Sequence, residues 1–146
     1  MAHVHKPSRR LSLACNVRIA YNVGKFKILL KKEMSTAQEL SGVPVSRKSA
    51  ITVGVFDGVH LGHQHIIARL IEESLKTGTL AGIVTFRNHP ASVLDRSFEP
   101  SYLTNFEDRM DKLKVSGIDF VVPISFDINL SNFSPSQFTD LLQLHL

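Results

Sequence analysis

Residues 54–64 read Gly54-Val55-Phe56-Asp57-Gly58-Val59-His60-Leu61-Gly62-His63-Gln64, and this segment says more about the architecture of the chain than any other. An apolar run, Ala50-Ile51-Thr52-Val53, precedes it, and a helical pattern follows it. The segment is therefore expected to form the turn between a strand and a helix. Backbone N–H groups at the start of a helix lack intrahelical partners, and the helix dipole adds partial positive charge there. Such a turn in an α/β protein is suited to binding phosphate groups.

Glycines and histidines give this turn its chemistry. The glycines have no Cβ atoms to keep a nucleotide away from the backbone. His60 and His63 lie three residues apart at the helix opening, so both imidazole rings can face one cluster of phosphates. We therefore predict that His60 and His63 contact bound phosphates. The predicted nucleotide-binding residues are Gly54, Val55, Phe56, Asp57, Gly58, His60, Gly62 and His63.

Three apolar runs predict the strands. The run at residues 50–56 suits a strand buried on both faces, and further runs follow at residues 80–86 and 120–124. Helical patterns separate them. Alternating strands and helices imply right-handed crossovers and a Rossmann-like, doubly wound parallel sheet of the α/β class. Ligands bind beyond the carboxyl ends of the strands in such sheets, so the segments that follow the three strands should converge on one cleft.

Local signals mark where the helices begin and end. Residues 60–77 carry an apolar stripe, and Gly78 is placed to end that helix. A capping box at Thr104 to Glu107 predicts the start of the next helix, which should end at Gly117. A second capping box, Ser134-Pro135-Ser136-Gln137, predicts the last helix, with proline at its first position.

Composition excludes several classes of protein. A chain of 146 residues predicts one domain, and 43% hydrophobic with 21% charged residues is typical of a soluble globular protein. No apolar run approaches the ~18 residues of a membrane span, so no membrane partner is expected. The single cysteine, Cys15, excludes an internal disulfide and fits a reducing, cytoplasmic compartment.

The net charge of +4 is unevenly spread along the chain. Residues 1–33 hold eight Lys/Arg and one acidic residue, whereas residues 34–146 hold nine Lys/Arg against twelve Asp/Glu. The positive excess therefore gives no reason to expect nucleic-acid binding by the domain at 34–146. Three interpretations of the basic leader at 1–33 stay open: a misassigned start upstream of Met34, a targeting segment for an organelle, or a real extension. The leader is expected to add nothing to the core.

The turn residues also carry a family resemblance. His60-Leu61-Gly62-His63 is similar to the H-x-G-H signature of the nucleotidyltransferase superfamily. The longer string Phe56 to Gln64 resembles the FMN adenylyltransferase module of prokaryotic FAD synthetases, which are usually fused to a riboflavin kinase domain. The resemblance covers about residues 34–146. Its downstream segments, in matching order, are Thr85-Phe86-Arg87-Asn88-His89-Pro90, Leu103-Thr104, Gly117-Ile118-Asp119, Phe126-Asp127 and Phe133-Ser134-Pro135-Ser136-Gln137-Phe138.

This resemblance implies an enzyme that transfers the adenylyl group of ATP to FMN, giving FAD and pyrophosphate. The phosphate of FMN is already ionised, so the reaction depends on alignment and charge stabilisation rather than on a strong general base. The resemblance implies that His60 and His63 are the catalytic residues, and they would donate hydrogen bonds to the triphosphate. Mg²⁺ would accompany ATP, held mostly by phosphate oxygens and water, with no metal site built from side chains. The flavin contacts implied are Asn88, His89, Pro90, Phe126 and Asp127.

The chain also departs from the family pattern. Family members continue with a strand carrying a Gly-x-Asp-Phe-x-Phe-Gly-type segment, a Ser/Thr-rich segment ending in Ile-Arg, and the riboflavin kinase domain. None of these is found in residues 1–146, so we expect a partial adenylyltransferase domain, a sheet incomplete at the C-terminus, and little activity from this piece alone. Arg87-Asn88 also replaces the acidic residue and proline often found before the His-Pro pair. Two alternatives stay open: a non-catalytic nucleotide-binding fragment, or another H-x-G-H nucleotidyltransferase with a different phosphorylated acceptor.

Overall fold

Three parallel strands form the sheet in the computed structural model, which describes residues 34–43, 45–95 and 97–146. The predicted leader, residues 1–33, lies outside the described residues. The strands are β1 (Ser49–Gly54), β2 (Leu80–Phe86) and β3 (Phe120–Ile124), in the order β1-β2-β3. Their register places Gly82 of β2 between Ile51 of β1 and Phe120 of β3. The predicted strands are confirmed, although β1 ends at Gly54 because Phe56 takes a left-handed backbone conformation with φ 55°.

The three strands differ in burial. β2 is central, and its residues from Ala81 to Thr85 are all buried. The prediction that the first strand is buried on both faces is wrong for the described part of the chain. β1 lies at an edge of this sheet, none of its residues is fully buried, and Val53 is exposed. An apolar run predicts a strand, but it does not predict the strand's place in the sheet.

Helices cover both faces of the sheet. The helices are α1 (Thr36–Ser41), α2 (Leu61–Thr77), α3 (Ala91–Leu94), α4 (Phe106–Lys114), α5 (Ile128–Ser131) and α6 (Pro135–His145). The crossover helices α2 and α4 bring Ile67 and Leu113 against Ile83 on one face. On the other face, Leu40 of α1 and Leu142 of α6 pack with buried residues of β2 and β3. This is the predicted Rossmann-like, doubly wound α/β arrangement.

Two helix ends agree with the local signals. α2 ends at Thr77, and Gly78 follows it in the left-handed conformation with φ 66°, as predicted for a glycine stop. The capping box at Ser134 is confirmed, because its side chain accepts from the N–H of Gln137 and the Gln137 side chain returns to the Ser134 N–H. No helix within these described ranges is long and apolar enough to cross a membrane.

The predicted capping box at Thr104 is wrong. Helix α4 begins one residue later than predicted. Its N-cap is Asn105, whose side chain accepts from the N–H of Asp108 at 2.7 Å. The hydroxyl of Thr104 donates to the carboxylate of Asp57 and accepts from the N–H of Gly58 at 3.1 Å instead of capping a helix. α4 also ends at Lys114 rather than at Gly117.

Candidate active site

The chain passes from β1 to α2 through a short 3₁₀ turn, Asp57–Val59, with unusual backbone angles. Phe56, Gly58 and Val59 all have positive φ, at 55°, 68° and 44°. A left-handed conformation is unfavourable for an aromatic residue and more so for a β-branched one. Phe56 and Val59 are held there because both side chains are buried, at 2% and 6% exposure, in the core between α2 and β2.

At each glycine of the turn, a neighbouring side chain lies close to where a Cβ atom would be. A Cβ atom on Gly58 would lie 3.0 Å from the Leu103 side chain, in addition to the strain of its positive φ. A Cβ on Gly62 would lie 3.1 Å from the ring of His60, and one on Gly54 would lie 3.0 Å from the ring of Phe56. The glycines therefore make room for Phe56 and His60 at the turn and for Leu103 of the segment before α4.

Asp57 ties the turn to the segment that precedes α4. Its carboxylate accepts from the N–H of Leu103 at 2.6 Å and from both the N–H and the hydroxyl of Thr104 at 3.0 Å. Burial raises the pKa of Asp57, but these hydrogen bonds and the positive charge of Arg109 outweigh it and hold the pKa below its usual value. Asp57 is therefore an ionised carboxylate whose oxygens are already occupied, and it is unsuited to act as a base.

The two histidines form a stacked pair at the start of α2. Their ring centroids are 3.7 Å apart with an interplanar angle of 22°. His60 is the N-cap of the helix, and its Nδ1 accepts a long bond of 3.4 Å from the N–H of His63. Because Nδ1 is an acceptor, a neutral His60 ring carries its proton on Nε2. The pair therefore places imidazole N–H groups where the helix dipole is positive.

The His63 ring lies deeper than that of His60 and packs 5.0 Å from the ring of Phe56. Its Nδ1 is buried and has no hydrogen bond of good geometry, although the carbonyl of Asp57 lies near enough to favour the charged form slightly. Burial and the neighbouring His60 outweigh that carbonyl and lower the pKa of His63 below its usual value. His63 is therefore a neutral imidazole near pH 7 in the free protein.

The lowered pKa of His63 makes stability depend on pH. An unfolded histidine titrates at about 6.5, and the folded ring titrates lower, so the unfolded state binds more protons as the pH falls below about 6.5. The free energy of unfolding is therefore highest above that pH and declines toward the folded-state pKa. We expect the urea midpoint to fall from about pH 7 to about pH 5.5 more steeply in the wild type than in His63→Ala. Equal slopes in the two proteins would contradict this origin.

The segments after β2 and β3 meet through Asn88. Its side-chain amide donates to the carbonyl of Phe126 at 2.8 Å and accepts from the N–H of Phe126 at 2.9 Å. The ring of Phe126 packs edge-on against Phe86 at 5.5 Å. Asp127 is the N-cap of α5 and accepts from the N–H of Leu130 at 2.7 Å. The structure thus joins the predicted flavin segments to each other, while their flavin contacts stay predictions.

His89 and Pro90 immediately precede the short helix α3. Nδ1 of His89 accepts from the N–H of Ala91 at 3.1 Å, and its ring lies 5.1 Å from Phe98 and 6.5 Å from Tyr102. Pro90 precedes the first helical residue. The turn after β1 is linked to this neighbourhood through β2, because the Thr85 hydroxyl donates to the carbonyl of Val55 at 3.0 Å.

Two charged side chains at this edge of the sheet were missed by the sequence analysis. Arg109 of α4 is 1% exposed and donates to the carbonyls of Phe86, at 2.9 Å, and Arg87, at 3.4 Å. Its guanidinium also lies over the ring of Phe106 at 5.4 Å. Glu39 of α1 is the second, with a side chain only 8% exposed. The i,i+4 spacing of Arg109 from the core residue Leu113 was the one signal for its burial.

The region around these segments matches a known protein family. The family model described as FAD synthetase matches residues 43–146, which is more than half of the chain. The chain belongs to the FAD synthetase family. The matched region contains the histidine turn and the segments after β2 and β3, but it begins after α1. The resemblance predicted from residues 56–64 is therefore confirmed.

Two relatives show the extent of the similarity within the FAD synthetase family. The chain is 36% identical over 94 residues to a bifunctional riboflavin kinase/FMN adenylyltransferase of Bacillus subtilis, covering 64% of this chain and 30% of that protein. It is 35% identical over 99 residues to the Listeria monocytogenes protein of the same name, covering 66% and 32%. The chain spans less than a third of the length of these curated relatives.

A solved structure with a similar fold is described as a macrolide-efflux protein from Streptococcus pneumoniae. The TM-score is 0.59 and the sequence identity is 22%, and the match covers 67% of this chain and 39% of that one. At this identity the likeness shows the fold alone. It agrees with the α/β arrangement of helices on both faces of a parallel sheet.

Proposed function

We propose that the domain at residues 34–146 is an FMN adenylyltransferase, which transfers the adenylyl group of ATP to FMN. The observation that carries this proposal is the stacked pair His60 and His63 at the start of a 17-residue helix, in a chain of the FAD synthetase family. In this reaction a phosphate oxygen of FMN forms a bond to the α-phosphorus of ATP. The bond from that phosphorus to the bridging oxygen breaks, and pyrophosphate leaves with the electron pair.

The histidines are proposed to stabilise the charge that develops on the leaving pyrophosphate. A neutral imidazole donates one hydrogen bond from its protonated nitrogen, and the dipole of α2 adds partial positive charge at the same place. A bound triphosphate would also raise the pKa of His63, since a neighbouring negative charge favours the protonated ring. Because electrostatic stabilisation of this kind is often the largest catalytic contribution, no general base is needed from the described residues.

Mg²⁺ is proposed to enter the site together with ATP. Phosphate oxygens and water are its usual ligands in such sites. The described residues contain no group of three or more His, Cys, Asp or Glu side chains able to hold an ion themselves. The carboxylate of Asp57 is occupied by Leu103 and Thr104. The ion would supply neutralisation of phosphate charge, while the protein binds and orients the triphosphate.

FMN is proposed to bind beside the loops after β2 and β3, where Asn88, His89, Pro90, Phe126 and Asp127 lie. The names of the relatives join FMN adenylyltransferase to riboflavin kinase, and we propose a kinase domain of that kind as the source of FMN. The cytoplasm is the proposed compartment, with an organelle as the alternative if the leader is a transit peptide.

The proposed function is tested with a protein in which residues 34–146 continue into the downstream strand and the Ile-Arg segment of the family pattern, incubated with ATP, Mg²⁺ and a phosphorylated acceptor. We expect FAD and pyrophosphate in equal amounts when the acceptor is FMN, measured by chromatography. Pantetheine phosphate in place of FMN, and CTP in place of ATP, should give no product. Transfer to pantetheine phosphate but not to FMN would assign a different acceptor, and nucleotide binding without any transfer would indicate a non-catalytic domain.

A further inference from the structure

The hydrogen-bond ladder between β2 and β3 does not stop where the strands end. Its last backbone bond runs from the N–H of Arg87 to the carbonyl of Ile124, at 2.8 Å. A continuing parallel ladder would bring the N–H of Phe126 to the carbonyl of Arg87. The Phe126 N–H is instead bonded to the side chain of Asn88, which also donates to the Phe126 carbonyl. The amide of Asn88 therefore replaces a backbone partner and extends the pairing beyond both strands.

Asn88 bonds to Phe126 but not to the preceding residue, Ser125, and Glu39 accepts the hydrogen bonds of Ser125. The N–H of Ser125 donates to Oε2 of Glu39 at 2.7 Å, and the Ser125 hydroxyl donates to Oε1 at 3.0 Å. Nε of Arg87 also donates to Oε1, at 3.4 Å. A buried carboxylate is stable only when hydrogen bonds or opposite charges replace its water, and here the loops after both strands supply them.

Together these bonds account for the backbone donors of residues 125 and 126, which lie beyond the end of β3. One donor goes to Glu39 and the next to Asn88. Backbone N–H groups that are removed from water need such partners, so the two side chains set the path of the loop. Asn88 lies within the matched residues 43–146, and Glu39 lies upstream of them.

We propose that Glu39 and Asn88 are positioning residues that hold the loop at 125–127 against the segment at 88–90 and so set the affinity for FMN. This inference rests on the proposed function, since it assumes that FMN binds beside these two loops. Asn88 acts through Phe126, because both polar groups of its amide are already bonded there. Glu39 acts through Ser125 and Arg87 in the same way.

The test measures binding of FMN and of ATP separately, by flavin fluorescence and by a fluorescent ATP analogue, in the full chain. Glu39→Ala removes all three bonds. Asn88→Asp keeps an acceptor for the Phe126 N–H but places a carboxylate against the Phe126 carbonyl. We expect each change to raise the Kd for FMN about tenfold, the effect of roughly one hydrogen bond, and to change the Kd for the ATP analogue less than about twofold.

Glu73→Ala is the matched control for Glu39→Ala, because Glu73 is an exposed glutamate of α2 whose side chain pairs with Lys76. It should change neither Kd. The double variant Glu39→Ala/Asn88→Asp should weaken FMN binding by less than the product of the two single effects, since either change alone frees the same loop.

The outcomes separate the two proposals. A wild-type protein that binds ATP but not FMN would refute the proposed function. Wild-type FMN binding that survives unchanged in Glu39→Ala and Asn88→Asp would overturn the positioning role and leave the function in place. Equal losses of FMN and ATP binding, together with a large fall in melting temperature, would also overturn it, because they would indicate a general loss of the fold.

Discussion

Replacing His63 by alanine should lower the rate of adenylyl transfer by about 10²–10³-fold while the fold stays intact. That is the typical cost of removing one donor that stabilises charge in the transition state. The His63 ring stacks on His60 at the positive end of α2. In the proposed reaction its loss would leave the departing pyrophosphate with one hydrogen bond fewer. The measurement is kcat for FAD formation at saturating ATP and FMN, in a protein that continues into the downstream strand and the Ile-Arg segment of the family pattern.

His65→Ala is the control for this result. His65 lies on the same helix, two residues further on, and its side chain is exposed. It should retain wild-type kcat. Because the His63 ring also packs on Phe56, the melting temperature of each variant must be measured beside its activity. Near-wild-type turnover by a folded His63→Ala protein would refute the catalytic assignment.

The second large effect is expected at Gly82, in the centre of β2. A Cβ atom there would overlap the ring of Phe120 on the neighbouring strand. Relief of chain entropy favours alanine over glycine by about 0.4–1 kcal/mol, but overpacking of a core costs about 1–3 kcal/mol. The steric cost is the larger of the two. Gly82→Ala should therefore lower the melting temperature, by about 5–10 °C for a domain of this size.

A double-mutant cycle assigns that loss to the ring. Phe120→Leu removes the atoms that the new methyl group would meet, so Gly82→Ala should cost much less in the Phe120→Leu background than in the wild type. Equal costs in both backgrounds would show that the glycine is required for another reason. An unchanged melting temperature in Gly82→Ala would show that the Phe120 ring moves aside freely.

The sequence predicted the elements whose signals are local. β2 and β3 agree with the prediction to the residue, since an apolar run bounded by turn residues is enough to define a strand. The stop at Gly78 and the capping box at Ser134 also depend only on residues within one turn of the helix end. The turn after β1 was predicted for the same reason.

The remaining features depend on partners far along the chain. Thr104 has the sequence of a helix cap, but Asp57, 47 residues earlier, occupies its hydroxyl. Glu39 looks like an ordinary surface residue of a short helix until Ser125, 86 residues later, is brought beside it. No short-range pattern encodes such pairs. The glycines of the turn were predicted to leave room for a nucleotide. The structure shows that they also leave room for the side chains of Phe56, His60 and Leu103, which the sequence alone does not reveal.

The left-handed conformations of Phe56 and Val59 have a consequence for the order of folding. Neither residue favours such a conformation in an isolated peptide, so the turn is not formed early by local preference. It acquires its native shape only when both side chains enter the core that α2, α4 and β2 build together. The contact between Glu39 and Ser125 closes a loop that spans most of the domain, so its formation carries a larger loop-closure cost than a local contact. We therefore expect the sheet and its helices to fold first, and the turn at 56–60 and the loop at 125–127 to take their native shape after them.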